Sequence, residues 1–192
     1  MGGGAGGTDL NVAGWTPEAG KKEVHVETTI SSAEDRIKNL DHEQLVVIGN
    51  DGYVKAVVDG GDHSVGITPK AAREMRGNIA THNHPTGGTL SPPDVINGAK
   101  GGVGEIRAIS KRFNKTYSLK ATSKANGDGM AKAMQKAEKR IMNDWQKKID
   151  GMQGRKYKSK ENWENQVYKH YNTVMGGWLK ANAGKYGYVY SD

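Results

Sequence analysis

Two histidines one residue apart, His82 and His84, are followed at short range by Ser91 and Asp94 in the run IATHNHPTGGTLSPPDV, residues 79–95. Imidazole nitrogens and carboxylate oxygens bind metal ions, and a hydroxyl or a second carboxylate beside them can handle a proton or an oxyanion. Side chains two apart on a β-strand share a face, so His82 and His84 can reach toward one cation. Pro85 cannot continue a ladder, so the strand is expected to fray by His84 and leave both rings at its end. A catalytic zinc site usually has three protein ligands and one open position. Asp94 can be the third ligand, ten residues beyond His84 across a loop that contains Gly87 and Gly88. Two nitrogens and one oxygen, in a chain with no cysteine, suit Zn²⁺.

The same residues also read as a helix start. In Ser91-Pro92-Pro93-Asp94 the serine is an N-cap, proline fills the first helical position and an acid stands third. This accounts for Ser91 and Asp94 without a metal, but not for His82 and His84. The two readings are compatible: the cap would hold Asp94 still and place a hydroxyl beside the metal's open position. The positive end of the helix dipole would favour anionic groups there.

A hydrolase also needs a base near the water. Glu23, Glu27, Glu34, Glu43 and Glu105 are the candidates. Glu43 opens EQLVVIG, the most apolar strand of the chain, where a buried carboxylate near a metal would shift its pKa usefully. It is equally readable as the polar residue before a core strand, and the local sequence leaves both readings open. His25, His42, His63 and His170 are isolated or face away, and none is expected to be a ligand.

The elements that must position these groups follow from patterning. Glu23–Thr29 alternates as an edge strand, and Ser31-Ser32-Ala33-Glu34 fits a capping box for a helix over Ser31–Leu40. Glu43–Gly49 and Tyr53–Val58 form a hairpin about Asn50-Asp51-Gly52. Val65–Ile67 reads as a short strand, Pro69–Met75 as a helix, Asn78–His82 as a strand and Pro92–Ala99 as a helix. Glu105–Ser110 and Thr116–Thr122 pair as strands. Beyond them, Met130, Met134, Ala137, Ile141, Trp145 and Ile149 mark one helix face, and Trp163, Val167, Tyr171, Val174 and Trp178 mark a second, as packing stripes. KYGYVYSD at the end alternates and can return to the sheet. The expectation is an α/β chain: a Gly-rich tail or linker over 1–21, a mixed α/β domain over 22–123 and a basic helical pair over 124–192.

Composition bounds the rest. Apolar residues are 35% and glycines number 27, which implies a modest core with long loops. The absence of cysteine excludes disulfides, thiolate metal sites and cysteine nucleophiles. No apolar run approaches a membrane span, and MGGGAGGTDL lacks a signal-peptide pattern, so the chain is expected to be soluble or a piece of a larger soluble protein. Of 28 Lys/Arg and 21 Asp/Glu, residues 124–192 hold 14 and 7, which leaves the first 123 residues neutral. The basic excess permits a nucleic-acid partner, but lysines interleaved with acids read first as a solvated face.

Together, Glu43, His82-x-His84 and Ser91-x-x-Asp94 resemble the JAMM (JAB/MPN) metalloprotease family over roughly residues 30–122. Six residues separate His84 from Ser91, where the family more often has seven. The shorter spacing, the His-Asn-His-Pro wording and the preceding strand and Asp-Gly turn are similar to JAMM-like domains of phage head-associated proteins and bacterial polymorphic toxins. The resemblance implies a three-layer core, a mixed sheet flanked by helices, as in cytidine deaminases. Deaminase chemistry itself is excluded by the missing Cys-x-x-Cys. It also implies Zn²⁺ on His82, His84 and Asp94, with Glu43 as general base and Ser91 as hydrogen-bond donor to the water or developing oxyanion. The reaction implied is hydrolysis of a peptide or isopeptide bond in a protein substrate, with a phage-head or toxin-system partner. The alternatives are a non-catalytic binding or virion-structural module on that fold, and a metal-dependent toxin directed at nucleic acid.

Overall fold

The computed structural model describes residues 8–10, 28–152 and 157–192. Its centre is strand β2 (Gln44–Ile48), every residue of which is buried. Leu45 and Val47 point into one apolar cluster, and Val46 and Ile48 into another on the opposite face. A strand covered on both faces needs no apolar–polar alternation, which explains the continuous run LVVI.

β2 pairs antiparallel with β3 (Val54–Asp59) on one side and with β4 (Ile79–His84) on the other. β4 then pairs in parallel with β5 (Glu105–Ser110), and β6 (Lys115–Ala121) and β7 (Tyr188–Ser191) follow antiparallel. With β1 (Thr8–Leu10) on β3, the order among the described residues is β1-β3-β2-β4-β5-β6-β7. Helix α1 (Ile30–Ile37) covers one face through Ala33 and Ile37. The other face carries α2 (Pro69–Met75), α3 (Pro92–Gly101), α4 (Gly127–Asp150) and α5 (Lys160–Asn182). The fold is therefore α/β, with a mixed sheet between helical layers. No helix among the described residues is long and apolar enough to cross a membrane.

Several expectations are corrected. The capping box assigned to Ser31 is displaced: Thr29 is the N-cap of α1 and its Oγ1 accepts from the Ser32 N–H at 3.1 Å. Glu34 is instead drawn across the sheet face to Arg107, whose Nε donates to it at 2.6 Å. Val65–Ile67 is loop. Of the edge strand expected over Glu23–Thr29, residues 23–27 lie outside the described residues and Thr28 and Thr29 lead into α1. Within the segment read as a tail, Thr8–Leu10 pairs with β3. The helical pair also shares the core of the preceding segment. Met130, Met134 and Leu179 join the cluster of Leu45, Ala80 and Leu119, and β7 extends the same sheet.

The join between the two segments is tight at one point. A Cβ on Gly127, at the start of α4, would strike the Ala99 carbonyl of α3, a backbone atom that cannot swing aside. Gly177, exposed in the middle of α5, has open space around the same position. Gly127→Ala should therefore destabilise the protein by about 1–3 kcal/mol as an overpacked contact. Gly177→Ala should stabilise it by about 0.5–1 kcal/mol through helix propensity. Urea unfolding of both variants measures the pair; equal effects would mean α4 is not seated on α3 as described.

Candidate metal centre

Strand parity aims the histidines. Ala80 points into the larger core, and His82 and His84, two and four residues on, follow it. Thr81 faces the other way and donates to Glu34 of α1 at 3.1 Å. The expected fraying of β4 occurs on one side only. Toward β5 the pairing continues to His84↔Ser110, but toward β2 it stops at Leu45↔His82. Where the ladder stops, a side chain replaces it. Asn83 Oδ1 accepts from the Gln44 N–H and Asn83 Nδ2 donates to the His42 carbonyl, each at 2.8 Å.

This amide bridge brackets Glu43. The Glu43 backbone is also tied to the loop after β3: its N–H donates to the Gly61 carbonyl and its carbonyl accepts from the Gly60 N–H, each at 2.8 Å. The Val65 N–H, farther along that loop, hydrogen-bonds the Glu43 carboxylate. Gly60 permits the close approach, since a Cβ there would lie 2.7 Å from Val65 Cα. Glu43 is thus held from both sides and buried, with 6% of its surface exposed.

Asp94 arrives on α3. Ser91 is its N-cap with a reciprocal capping box, and Pro92 and Pro93 occupy the first two helical positions. Ser91 N–H and Oγ both donate to Asp94 Oδ2 at 2.7 Å, and the Asp94 N–H returns to Ser91 Oγ at 3.3 Å. The helix start and the ligand position are one arrangement.

The donors converge. His82 Nε2 and His84 Nε2 are 2.9 Å apart, and Asp94 lies 3.5 Å from the first through Oδ1 and 3.6 Å from the second through Oδ2. Ligands at zinc-like bond lengths of 2.0–2.2 Å in a tetrahedron are separated by ~3.3 Å. Three such atoms within 4.8 Å of one another can hold one metal ion. His84 Nδ1 lies 2.9 Å from the Gly88 carbonyl, which fixes the proton there and turns the Nε2 lone pair inward. Glu43 Oε1 stands farther out, 4.0 Å from His84 Nε2, at a distance suited to a bridging water.

Burial and mutual charge set the protonation of the metal-free site. Burial pushes the Glu43 carboxyl up to about 7, with Asp94 adding and His82 opposing. Burial and the neighbouring His82 drive His84 down to about 4. For His82, burial alone would lower the pKa, but the charge and hydrogen bond of Asp94 outweigh it and hold the ring above its ordinary value. Asp94, despite its burial, is kept well below the carboxylate range by His82 and His84.

A cleft of about 460 Å³ opens onto the group and includes Glu43, His82, His84, Ser91 and Asp94 among its walls. The other base candidates are elsewhere: Glu34 and Glu105 both bind Arg107 on the α1 face, and Glu23 and Glu27 lie outside the described residues, as does His25. His42 pairs with Asp41 and Asp59. His63, expected to be uninvolved, stands exposed on the cleft wall. Sequence reasoning also missed Asn83, whose role depends on where one ladder stops, and the cleft-facing Met142, Trp145, Tyr168 and Tyr171. Trp145 and Tyr171 do belong to the packing stripes; a pattern marks an inward face but not whether it meets core or cleft.

The fold and the site define a layered α/β protein with, among the described residues, one candidate metal centre at the end of a central strand. No family model, no curated protein and no solved structure matches this chain.

Titration with a divalent transition metal should find about one ion per chain, lost in His82→Ala. Because Asp94 holds the His82 ring above its ordinary pKa, metal binding at mildly acidic pH should displace protons, fewer as pH rises. Calorimetry in buffers of different ionisation enthalpy measures this; no buffer dependence at pH 6 would mean His82 is already neutral. Asn83→Ala leaves the Gln44 N–H and His42 carbonyl unpartnered, a loss of about 1–3 kcal/mol in urea unfolding. A variant as stable as the parent would remove the amide bridge as a constraint.

Proposed function

We propose that this protein is a zinc-dependent hydrolase that cleaves a peptide or isopeptide bond. The observation that carries the reading is the convergence of His82, His84 and Asp94 in a cleft with the raised-pKa carboxyl of Glu43 beside them. Two imidazoles and one carboxylate suit Zn²⁺ and leave a position open. The JAMM resemblance assigns the same residues the same work. Bound there, the ion would supply Lewis acidity, polarising the scissile carbonyl and acidifying water.

The chain's own groups supply the rest. Glu43, buried and pinned through its backbone, takes the proton from the attacking water. It then delivers that proton to the departing amine nitrogen, so that one carboxyl serves both steps. Burial raises the Glu43 carboxyl in the metal-free site, and a dication beside it would draw that pKa back down, which favours the carboxylate form that takes the proton. Asp94 and the Nε2 atoms of His82 and His84 would hold the ion. The Ser91 hydroxyl, which here donates to Asp94, is the group the resemblance assigns to the water or developing oxyanion.

The basic excess of residues 124–192 favours a second reading, action on nucleic acid. Against it, none of the described residues lining the cleft is a lysine or arginine, although phosphate backbones are gripped by such groups.

Glu43→Gln should retain one zinc per chain and lose turnover of a peptide or isopeptide substrate by about 10²–10⁴-fold. Full activity in that variant would remove Glu43 from the mechanism. A zinc-loaded parent that cleaves no peptide or isopeptide would instead leave a binding or virion-structural module.

A further inference from the structure

The cleft has two kinds of wall. One is the ionisable group already described. The other is apolar, and the helical pair contributes Met142 and Trp145 of α4 and Tyr168 and Tyr171 of α5 to it. Each pair is spaced by three, which puts its members on one helix face. The two walls are continuous. A Cβ on Gly88 would lie 3.3 Å from the Tyr171 ring and 3.7 Å from His84 Nδ1, so the ring begins within a side chain's width of the metal centre.

The apolar wall is preorganised. The Trp145 indole N–H donates to the Val167 carbonyl at 3.1 Å, and its ring meets Tyr171 edge-on with centroids 5.1 Å apart. Met142, Trp145 and Tyr168 nevertheless remain partly exposed. Rigid, half-exposed aromatic groups give contact area at low entropic cost. A volume of about 460 Å³ exceeds what an ion and a water need and lies in the range of sites for small organic groups. No lysine or arginine is among the described residues that line the cleft, and the four residues of this wall carry no positive charge.

We propose that this wall is a side-chain subsite for a large apolar residue, aromatic by preference, next to the bond held at the metal centre. The subsite takes its substrate class, a polypeptide, from the hydrolase reading above. As a binding property it is separable from turnover. Covering the wall with an apolar group also removes water from beside the reacting amide, which strengthens the electrostatic interactions there.

The test uses the full chain, with and without zinc, and N-acetyl N-methylamides of phenylalanine, alanine and glutamate, with cytidine as a nucleobase probe. Binding is followed by NMR at the methionine methyl and tryptophan indole signals. The phenylalanine probe should bind about ten- to hundredfold tighter than the other amides and shift the Met142 and Trp145 signals. Met142→Lys, on a half-exposed helix face, should cut that preference at least tenfold, and Trp145→Phe, which keeps a ring, should largely preserve it. Equal binding of the three amides, or shifts confined to other methionines and tryptophans, would overturn the subsite. Tighter binding of cytidine would also overturn it, in favour of base stacking. Discrimination among probes without cleavage of any phenylalanine-containing peptide sinks the hydrolase reading alone; cleavage without discrimination sinks the subsite alone.

Discussion

His82 and His84 leave β4 on one face with their Nε2 atoms 2.9 Å apart and almost no solvent access, 1% and 7% exposed. Two imidazolium ions cannot share such a place, because burial penalises each charge and each repels the other. At most one proton fits between them, and even that needs a buried anion. The arrangement therefore requires Asp94, and Asp94 requires a rigid approach, since a carboxylate swinging free would be solvated elsewhere. The reciprocal hydrogen bonds between Ser91 and Asp94 supply that rigidity. The Gly88 carbonyl then fixes the His84 ring. Each of these contacts follows from placing two imidazoles side by side in a dry pocket, and the same placement lets a dication replace the shared proton.

Glu43 belongs to a different part of the fold. The three ligands come from β4 and α3, whereas Glu43 stands just before β2 and is held by Asn83 and the loop after β3. Strands β2 and β4 separate at this point, and Asn83 spans the opening with its side-chain amide. The separation matters chemically. Glu43 Oε1 lies 4.0 Å from His84 Nε2, outside the group of atoms that could share one ion. The carboxyl and the three candidate ligands are thus fixed by different elements.

Much of this was legible in the sequence because it is local. His82-x-His84 on a strand and Ser91-x-x-Asp94 on a capped helix start are short-range patterns, and strand and helix geometry convert them directly into directions in space. The coarse α/β arrangement was legible for the same reason, from the apolar run of β2 and the helical stripes of α4 and α5. The misreadings concern long-range partners. Ser31 and Glu34 have the spacing of a capping box, but Thr29 is the better-placed cap and Arg107, 73 residues away, claims the carboxylate. Asn83 reads as a spacer between two histidines, and only the point where pairing with β2 ends gives it work. The burial of Glu43 depends on the loop of Gly60 to Val65, which no local pattern around Glu43 shows.

The helical pair meets three environments at once. On α4, Met130, Met134, Ala137 and Ile141 are buried in the core. On the same helix Lys132, Lys136, Lys139, Arg140, Lys147 and Lys148 are exposed. Met142 and Trp145, at the border of those two faces, turn into the cleft. One helix therefore packs, solvates and lines a site, each with a different third of its surface. The basic excess sits on the solvated third, where physiological salt screens it over about 8 Å. The electrostatics of the candidate metal centre are set by burial and by its own two imidazoles and two carboxylates.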